Sequence, residues 1–423
     1  MTKGQTLTST IGKQAFLFPG AMWLASRLFI WAVMLLITPL LAAPPGGIAP
    51  TFGWGVFTAW DTGHYQAIAT SGYEYLNDGK GHNVAFFPLF PLIIRVLMNL
   101  GLSFEVAGVL VSNLAFFAAL YLLYFWIEEE HGESAARWTT AVTAWCPLSV
   151  FGTVIYTEAL YLLFTIGALR AFDKQKYGWT VLWGAFATAT RPTGIALIPA
   201  FAIAAWLQRR SPMAYVAGLA TAIGLLLFSI YCAIAFGDPL AFINAQRGWR
   251  DSLGFDWLAW WKMLMQITIG TFNWKHGWIK DPLHPALFAL IIGISYCLWH
   301  FRKKLGSAKV DYGIAVLVLL LWLLAGDPLI NTVSVLGSVY LLWRLRTQLT
   351  PVTVSYGFCG LGLLLVSGGT WSLSRLVYGI ISPSIALGVL FSRYPRWGYL
   401  MLFFFTVLLA TFSIRFAQDL WIG

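Results

Sequence analysis

Trp60-Asp61-Thr62-Gly63-His64-Tyr65, followed by Ala85-Phe86-Phe87-Pro88, is the stretch on which the reading of this chain turns. It places an acid, an imidazole and aromatic rings just beyond the first apolar run, Phe16 to Leu41, which is long enough to cross a bilayer. A carboxylate at a membrane boundary costs free energy unless it is solvated or paired, so such groups mark substrate or ion paths. The rest of the chain decides whether this carboxylate sits at such a boundary.

The composition says that it does. Of 423 residues, 59% are hydrophobic and only 10% are charged, where soluble domains carry roughly a quarter charged residues. With a mean hydropathy of +0.72, the chain reads as an all-α polytopic membrane protein. No small-residue cleavage site ends a shorter apolar core, so the first run is expected to remain as a span. The net charge of +10 comes in small basic clusters between apolar runs and forms no continuous stripe, which argues against a nucleic-acid partner. The 22 Trp and 17 Tyr suit interfacial belts and a carbohydrate or lipid site equally well. Cys146, Cys232, Cys297 and Cys359 are widely spaced, with no C-x-x-C pair and no His at ligand spacing, so neither a disulfide framework nor a metal or other cofactor is read from them.

The basic clusters set the topology by the positive-inside rule. Lys3 with Lys13, Arg170 to Lys176, Arg209-Arg210, Arg302 to Lys309, Arg344 to Arg346, and Arg393 to Arg396 mark the cytoplasmic side. Residues 42–103, with the Asp61 motif, then form a first outer loop. Within it Val84 to Leu100, interrupted by Pro88, Pro91 and Arg95, reads as an interfacial or re-entrant helix. Phe104 to Ile127 spans and ends in Glu128-Glu129-Glu130-His131, read as a solvated turn. Trp138 to Gly152 and Tyr156 to Phe172 follow, joined by an outward turn at Glu158. Gly178 to Leu207 exceeds the bilayer and must turn at Arg191-Pro192-Thr193-Gly194. After Met213 to Phe236, residues 237–284 form a second long outer loop with Gln246, Trp249 and the run Trp257 to Trp261. The remaining runs include Leu376 to Phe391 as a single span. About thirteen spans result, in one integral membrane domain over residues 1–423.

This topology gathers Asp61 with His64, His82, Glu158, Arg191 and Arg375 on the outer face. A carboxylate beside cations suits group transfer from a lipid phosphate: the carboxylate takes a proton from an acceptor hydroxyl and arginine stabilises the departing phosphate. Each residue also has a structural alternative. Asp61 could cap a helix, His64 could orient neighbours, Glu158 and Arg191 could hydrogen-bond between helices, Arg375 could be a loop cation, and Trp249 an interfacial anchor. A lipid or glycolipid transporter is the rival function, requiring polar groups through the membrane depth; Arg27 and Arg95 are the residues that would fit it. A non-catalytic scaffold for another glycosyltransferase is a third reading.

Trp60-Asp61-x-x-His64-Tyr65, Ile68-Ala69-x-x-Gly72-Tyr73, Ala85-Phe86-Phe87-Pro88-x-x-Pro91 and Tyr156-Thr157-Glu158-Ala159-Leu160 resemble the PIG-V-like mannosyltransferases. The resemblance extends more loosely through Arg191-Pro192-Thr193-Gly194, Gln246-Arg247-x-Trp249 and Ser374-Arg375. It implies a GT-C-like glycosyltransferase fold, a polyprenyl-phosphate sugar donor such as dolichyl-phosphate mannose, a lipid-linked or glycolipid acceptor, and an acidic residue of the first outer loop, here Asp61, as the catalytic base. His64, Tyr65, His82, Glu158, Arg191, Gln246, Trp249 and Arg375 would then bind substrate. Arg191-Pro192-Thr193-Gly194 departs from the Arg-Ser-Asn-Gly expected of eukaryotic members, which act on glycosylphosphatidylinositol precursors in the endoplasmic reticulum. That departure and the short loops point to a prokaryotic plasma membrane.

Overall fold

The computed structural model describes residues 4–249 and 254–422; Lys3 of the first basic cluster lies outside them. The first helix, α1 (Gly4–Trp31), runs through a π-helical turn toward Leu40, and the segment that follows carries two short helices, α2 (Thr62–Thr70) and α3 (Leu89–Asn99). The central group is α4 (Phe104–His131), α5 (Glu133–Trp145), α6 (Glu158–Asp173), α7 (Tyr177–Thr190), α8 (Leu197–Leu207), α9 (Pro212–Ala220) and α10 (Ile223–Phe236). Three short helices, α11 (Ala241–Gln246), α12 (Trp257–Thr268) and α13 (Thr271–His276), lead to α14 (Leu283–His300), α15 (Arg302–Leu305) and α16 (Ser307–Ala325). The chain closes with α17 (Asp327–Thr332), α18 (Ser338–Leu345), α19 (Pro351–Val366), α20 (Leu373–Tyr378), α21 (Ile381–Arg393) and α22 (Pro395–Ala417). Among the described residues the only β-pairing is a single bridge between Gly254 and Ser367.

Local chemistry sets the breaks. Ser103 caps α4 by accepting from the Val106 amide, and Gly132, at φ 83°, supplies the left-handed turn into α5. Arg191 is extended (φ −151°, ψ 144°), as a residue before proline is constrained to be, so α7 stops at Thr190. Small residues let helices approach closely: a Cβ at Gly388 of α21 would overlap Thr139 of α5.

Among the described residues seven helices are long and apolar enough to cross a membrane, with four shorter apolar ones beside them. The thirteen crossings expected from sequence require shorter helices such as Pro351–Val366 to cross as well. Of the most apolar window of α4, 61% is buried, against 6% for α14. Thus α4 is core, and α14 shows its apolar side chains to the surroundings, tenable in lipid and not in water. The protein is a multi-pass integral membrane protein.

Three expectations need correction. Glu128 to His131 form the last turn of α4 and no solvated loop, because Gly132, not the acidic run, breaks the helix; Glu129 there lies 3.0 Å from Arg170 and also pairs with Lys174. The run Leu376 to Phe391 divides into α20 and α21 at Gly379-Ile380, where Ile380 takes an extended conformation. The loop 237–284 is largely helical in its described residues, since Trp257 to Thr268 carries helix-forming side chains behind an Asp256 cap that accepts from the Ala259 amide.

Arg27 also finds a structural use. Fully buried in α1, it donates to Ser149 O (2.8 Å), Thr153 Oγ1 (2.8 Å), Ser149 Oγ (3.0 Å) and Ala144 O (3.2 Å), with its guanidinium 4.5 Å from the Phe116 ring centroid. It satisfies the backbone carbonyls released where Pro147 ends α5, and so shapes the turn leading to Glu158.

Candidate active site

Asp61 occupies the N-cap position of α2, yet its carboxylate makes no capping hydrogen bond. It instead accepts from Arg375 Nη1 at 3.0 Å. The backbone explains why it is free to do so: Tyr156 Oη accepts from the Asp61 amide (3.2 Å) and donates to Ala59 O (3.2 Å), fixing the turn from the other side. Trp60, just before it, is held at φ 58°, a left-handed conformation strained for a bulky residue, and this strain sets the direction in which Asp61 leaves the turn.

Arg375 is no loop cation. It lies on α20, whose start is held by the Ser374 amide donating to Asn331 Oδ1 (2.9 Å) and by Ser372 at φ 58°. Its guanidinium carbon sits 5.3 and 5.4 Å from the ring centroids of Tyr156 and Phe151. Arg375 Nε lies 3.3 Å from Glu158 Oε1, and Arg191 Nη1 lies 2.6 Å from the same oxygen. Glu158, the first residue of α6, is 0% exposed, and its Oε2 has no hydrogen-bond partner among the described residues. The extended Arg191 also donates to Thr157 Oγ1 (3.3 Å). Asp61, Arg375, Glu158 and Arg191 thus form one alternating, charge-balanced network drawn from four separate parts of the chain.

The charges act on their neighbours. Burial works against a cation at Arg375, and the carboxylates of Asp61 and Glu158 more than offset it, so the guanidinium is held charged more firmly than usual. Burial pushes the Tyr65 phenol up, and the Asp61 and Glu158 charges add to the effect. Burial holds the His64 imidazole below its usual value, with Asp61 pulling the other way. His64 stacks on Phe86 (centroids 4.5 Å, 16°) and meets Trp249 edge-on (5.6 Å), making an aromatic wall beside α2. Tyr65 joins it through edge contacts with Phe86, Phe90 and Tyr156.

Two expected site residues stand apart from the charge network. His82 pairs with Asp78 at 2.8 Å in the loop before α3. Gln246 donates to Ala85 O at 3.4 Å, tying α11 to the segment that carries Phe86. Sequence reasoning missed Tyr156 as a member of the site, although it adjoins Glu158 in the matched motif. It also missed Asn331, for which no local signal exists. At the other end of α6, about 22 Å away at 1.5 Å per residue, Asp173 lies 3.9 Å from Arg210, so the network above sits at one end of this helix.

The curated relatives include GPI alpha-1,6-mannosyltransferase 2 of Homo sapiens, 32% identical over 152 residues, which are 33% of this chain and 30% of that protein. The protein of the same name from Cricetulus griseus is 24% identical over 265 residues, 53% of this chain and 52% of that one. The chain therefore spans between about a third and about half of the lengths of these relatives. Among solved structures, the apo Archaeoglobus fulgidus oligosaccharyltransferase is 11% identical, with a TM-score of 0.47 over 93% of this chain and 56% of that chain. ArnT from Cupriavidus metallidurans, bound to undecaprenyl phosphate, is 14% identical, with a TM-score of 0.41 over 93% and 77%. The model of the mannosyltransferase (PIG-V) family matches residues 24–245, more than half of the chain and the part that supplies Asp61, Tyr156, Glu158 and Arg191; the chain belongs to that family.

Proposed function

We propose that this protein is an inverting glycosyltransferase of GT-C type that moves a hexose, mannose by the family it belongs to, from a polyprenyl-phosphate donor to a lipid-linked or glycolipid acceptor at the non-cytoplasmic face of a prokaryotic plasma membrane. The observation that carries the reading is the Asp61–Arg375–Glu158–Arg191 network: a partly exposed carboxylate paired with an arginine that a buried glutamate shares.

In this reading the donor phosphate binds Arg375 and Arg191. The acceptor oxygen attacks the anomeric carbon, the bond from that carbon to the phosphate oxygen breaks, and its electron pair stays on the phosphate. The acceptor proton passes to Asp61. Phosphate gains one negative charge as Asp61 loses one, so the charge facing the two arginines is unchanged through the step. Before the donor arrives, Arg375 engages Asp61; phosphate binding draws the guanidinium toward the donor and frees the base. Glu158 keeps both arginines in place throughout, and the His64–Phe86–Trp249 wall bounds the substrate space. The transport reading is weakened because Arg27, the charge it needed within the first span, is consumed by the turn after α5.

The test is transfer of labelled hexose from a polyprenyl-phosphate donor by purified protein, with a lipid extract of its host as acceptor. Labelled lipid product in the wild type and none in Asp61→Asn is expected; no product with any of several donors would refute the reading.

A further inference from the structure

Residues 238–249 lie against the segment between α2 and α3, and two glycines set how closely. A Cβ on Gly248 would overlap Gly81 N, an obstacle of backbone that no side-chain rotation removes. A Cβ on Gly81 would fall 2.6 Å from Trp249 Cζ2 and 2.7 Å from its Cη2, so the Trp249 indole lies directly on the Gly81 backbone. Neither glycine has a left-handed φ. What excludes a side chain at both is therefore space and not backbone conformation. The indole seated in this way is the one that meets His64 edge-on at 5.6 Å and Phe86 at 5.8 Å between ring centroids.

Both sides of this contact are fixed independently of it. The turn carrying Gly81 is braced from within: Asp78 Oδ1 accepts from the Lys80 amide (3.0 Å) and pairs with His82 Nε2 (2.8 Å). Buried Asn83 accepts from the Glu74 amide (2.8 Å) and donates to Gly72 O (3.1 Å). On the other side, Asp238 Oδ2 accepts from Tyr75 Oη (3.0 Å) and from Asn244 Nδ2 (2.8 Å). Phe242 and Ala245 of α11 are buried in one apolar cluster with Val84, Ala85 and Phe87. These ties hold α11 on residues 75–87, and its chain runs from Gln246 straight into Gly248 and Trp249. An indole that only anchors a protein at the membrane interface needs water on one side and lipid on the other. It has no need of two backbones without side chains to hold it against an imidazole.

We propose that Gly81 and Gly248 are positioning residues: the turn braced by Asp78 and His82 seats the Trp249 indole against His64 and thereby sets one wall of the substrate space. The role of that wall rests on the glycosyltransferase reading above, so the test includes a readout that does not depend on turnover. In the purified full chain carrying ring-labelled histidine, the His64 NMR resonance is identified by its loss in His64→Gln. It should shift in Trp249→Ala, which removes the indole ring current, and shift in the same direction in Gly81→Ala, which displaces the indole. Adding Gly81→Ala to Trp249→Ala should shift it no further, because residues that act through one contact are not additive. Gly55→Ala, at a glycine whose Cβ would meet open space, should leave it in place. Gly248→Ala, which forces the two backbones apart, gives the same comparison if Gly81→Ala fails to fold. An unmoved His64 resonance in the folded glycine variants, or additive shifts in the double variant, overturns the seat. In initial-rate transfer, Trp249→Ala and Gly81→Ala should each lower kcat/KM about fivefold, as loss of one aromatic contact implies, and the double variant no more than either; losses that multiply would overturn the positioning role. Absence of transfer by the wild type with several donors would instead refute the glycosyltransferase reading, and the His64 shifts would still decide where Trp249 is held.

Discussion

Asp61 and Arg375, 314 residues apart in sequence, are joined by a 3.0 Å charge-assisted hydrogen bond, and a second carboxylate, Glu158, lies 3.3 Å from the same guanidinium. Arg375 is therefore shared between one carboxylate with access to the surroundings and one with none. In the proposed mechanism that asymmetry makes Asp61 the base and Glu158 its support. Asp61→Asn keeps the shape and leaves Arg375 paired with Glu158. It should abolish transfer while the melting temperature in detergent stays close to that of the wild type.

Glu158 should behave in the opposite way. Its carboxylate is fully buried between Arg191 and Arg375, and removing it leaves two buried cations with Asp61 as their remaining acidic partner. Breaking such a pairing costs about 3–5 kcal/mol. Glu158→Ala should therefore lose stability before activity can be judged, and a thermal melt equal to the wild type would contradict the supporting role.

Tyr156 offers a milder test. Its hydroxyl bridges the Asp61 amide and Ala59 O and has no direct charge contact to lose. Tyr156→Phe removes two hydrogen bonds, each worth about 1 kcal/mol, from the turn that aims Asp61. Turnover should fall severalfold with donor KM little changed; a change confined to KM would place Tyr156 in binding instead.

The first membrane helix carries its own prediction. Arg27→Met keeps the apolar stem and deletes four hydrogen bonds to the turn at 144–153. Buried carbonyls left unpaired cost about 1–3 kcal/mol each, so the variant should express poorly or melt early. If it were stable and active, the turn would need some other support.

The pH dependence follows from His64. Its folded value lies below the ordinary 6.5, mainly through burial, so the unfolded chain binds the proton more readily. Stability from this group is complete above pH 6.5 and declines as pH falls through that value toward the lower folded one. Between pH 7 and pH 5 the wild type should lose more melting temperature than His64→Gln. Equal losses would mean that His64 is not held neutral by its packing against Phe86.

Much of the fold was legible because apolar length and basic clusters are local properties. The arginine-proline break at residues 191–192 was legible for the same reason, since proline constrains its own neighbour. The co-location of Asp61, Glu158, Arg191 and Arg375 followed from counting crossings, which needs only which end of the bundle each residue reaches. What the sequence could not supply was pairing. Nothing local says that Asp61 leaves its helix cap for Arg375, that Arg375 rides on a helix of its own, or that Trp249 lies between Gly81 and His64. Those choices depend on side chains brought together from distant segments. His82 and Gln246 show the same limit: the sequence does not say that His82 pairs with Asp78 in its own loop or that Gln246 reaches Ala85 in the first outer segment.

The central claim is that Asp61 is the base and Arg375 its switchable partner. The most direct measurement is single-turnover transfer of radiolabelled mannose from polyprenyl-phosphate mannose by wild type, Asp61→Asn and Arg375→Lys, each with donor binding measured in parallel. The account predicts donor binding without transfer in Asp61→Asn, and weakened binding with slowed transfer in Arg375→Lys. Transfer by Asp61→Asn at the wild-type rate would contradict it.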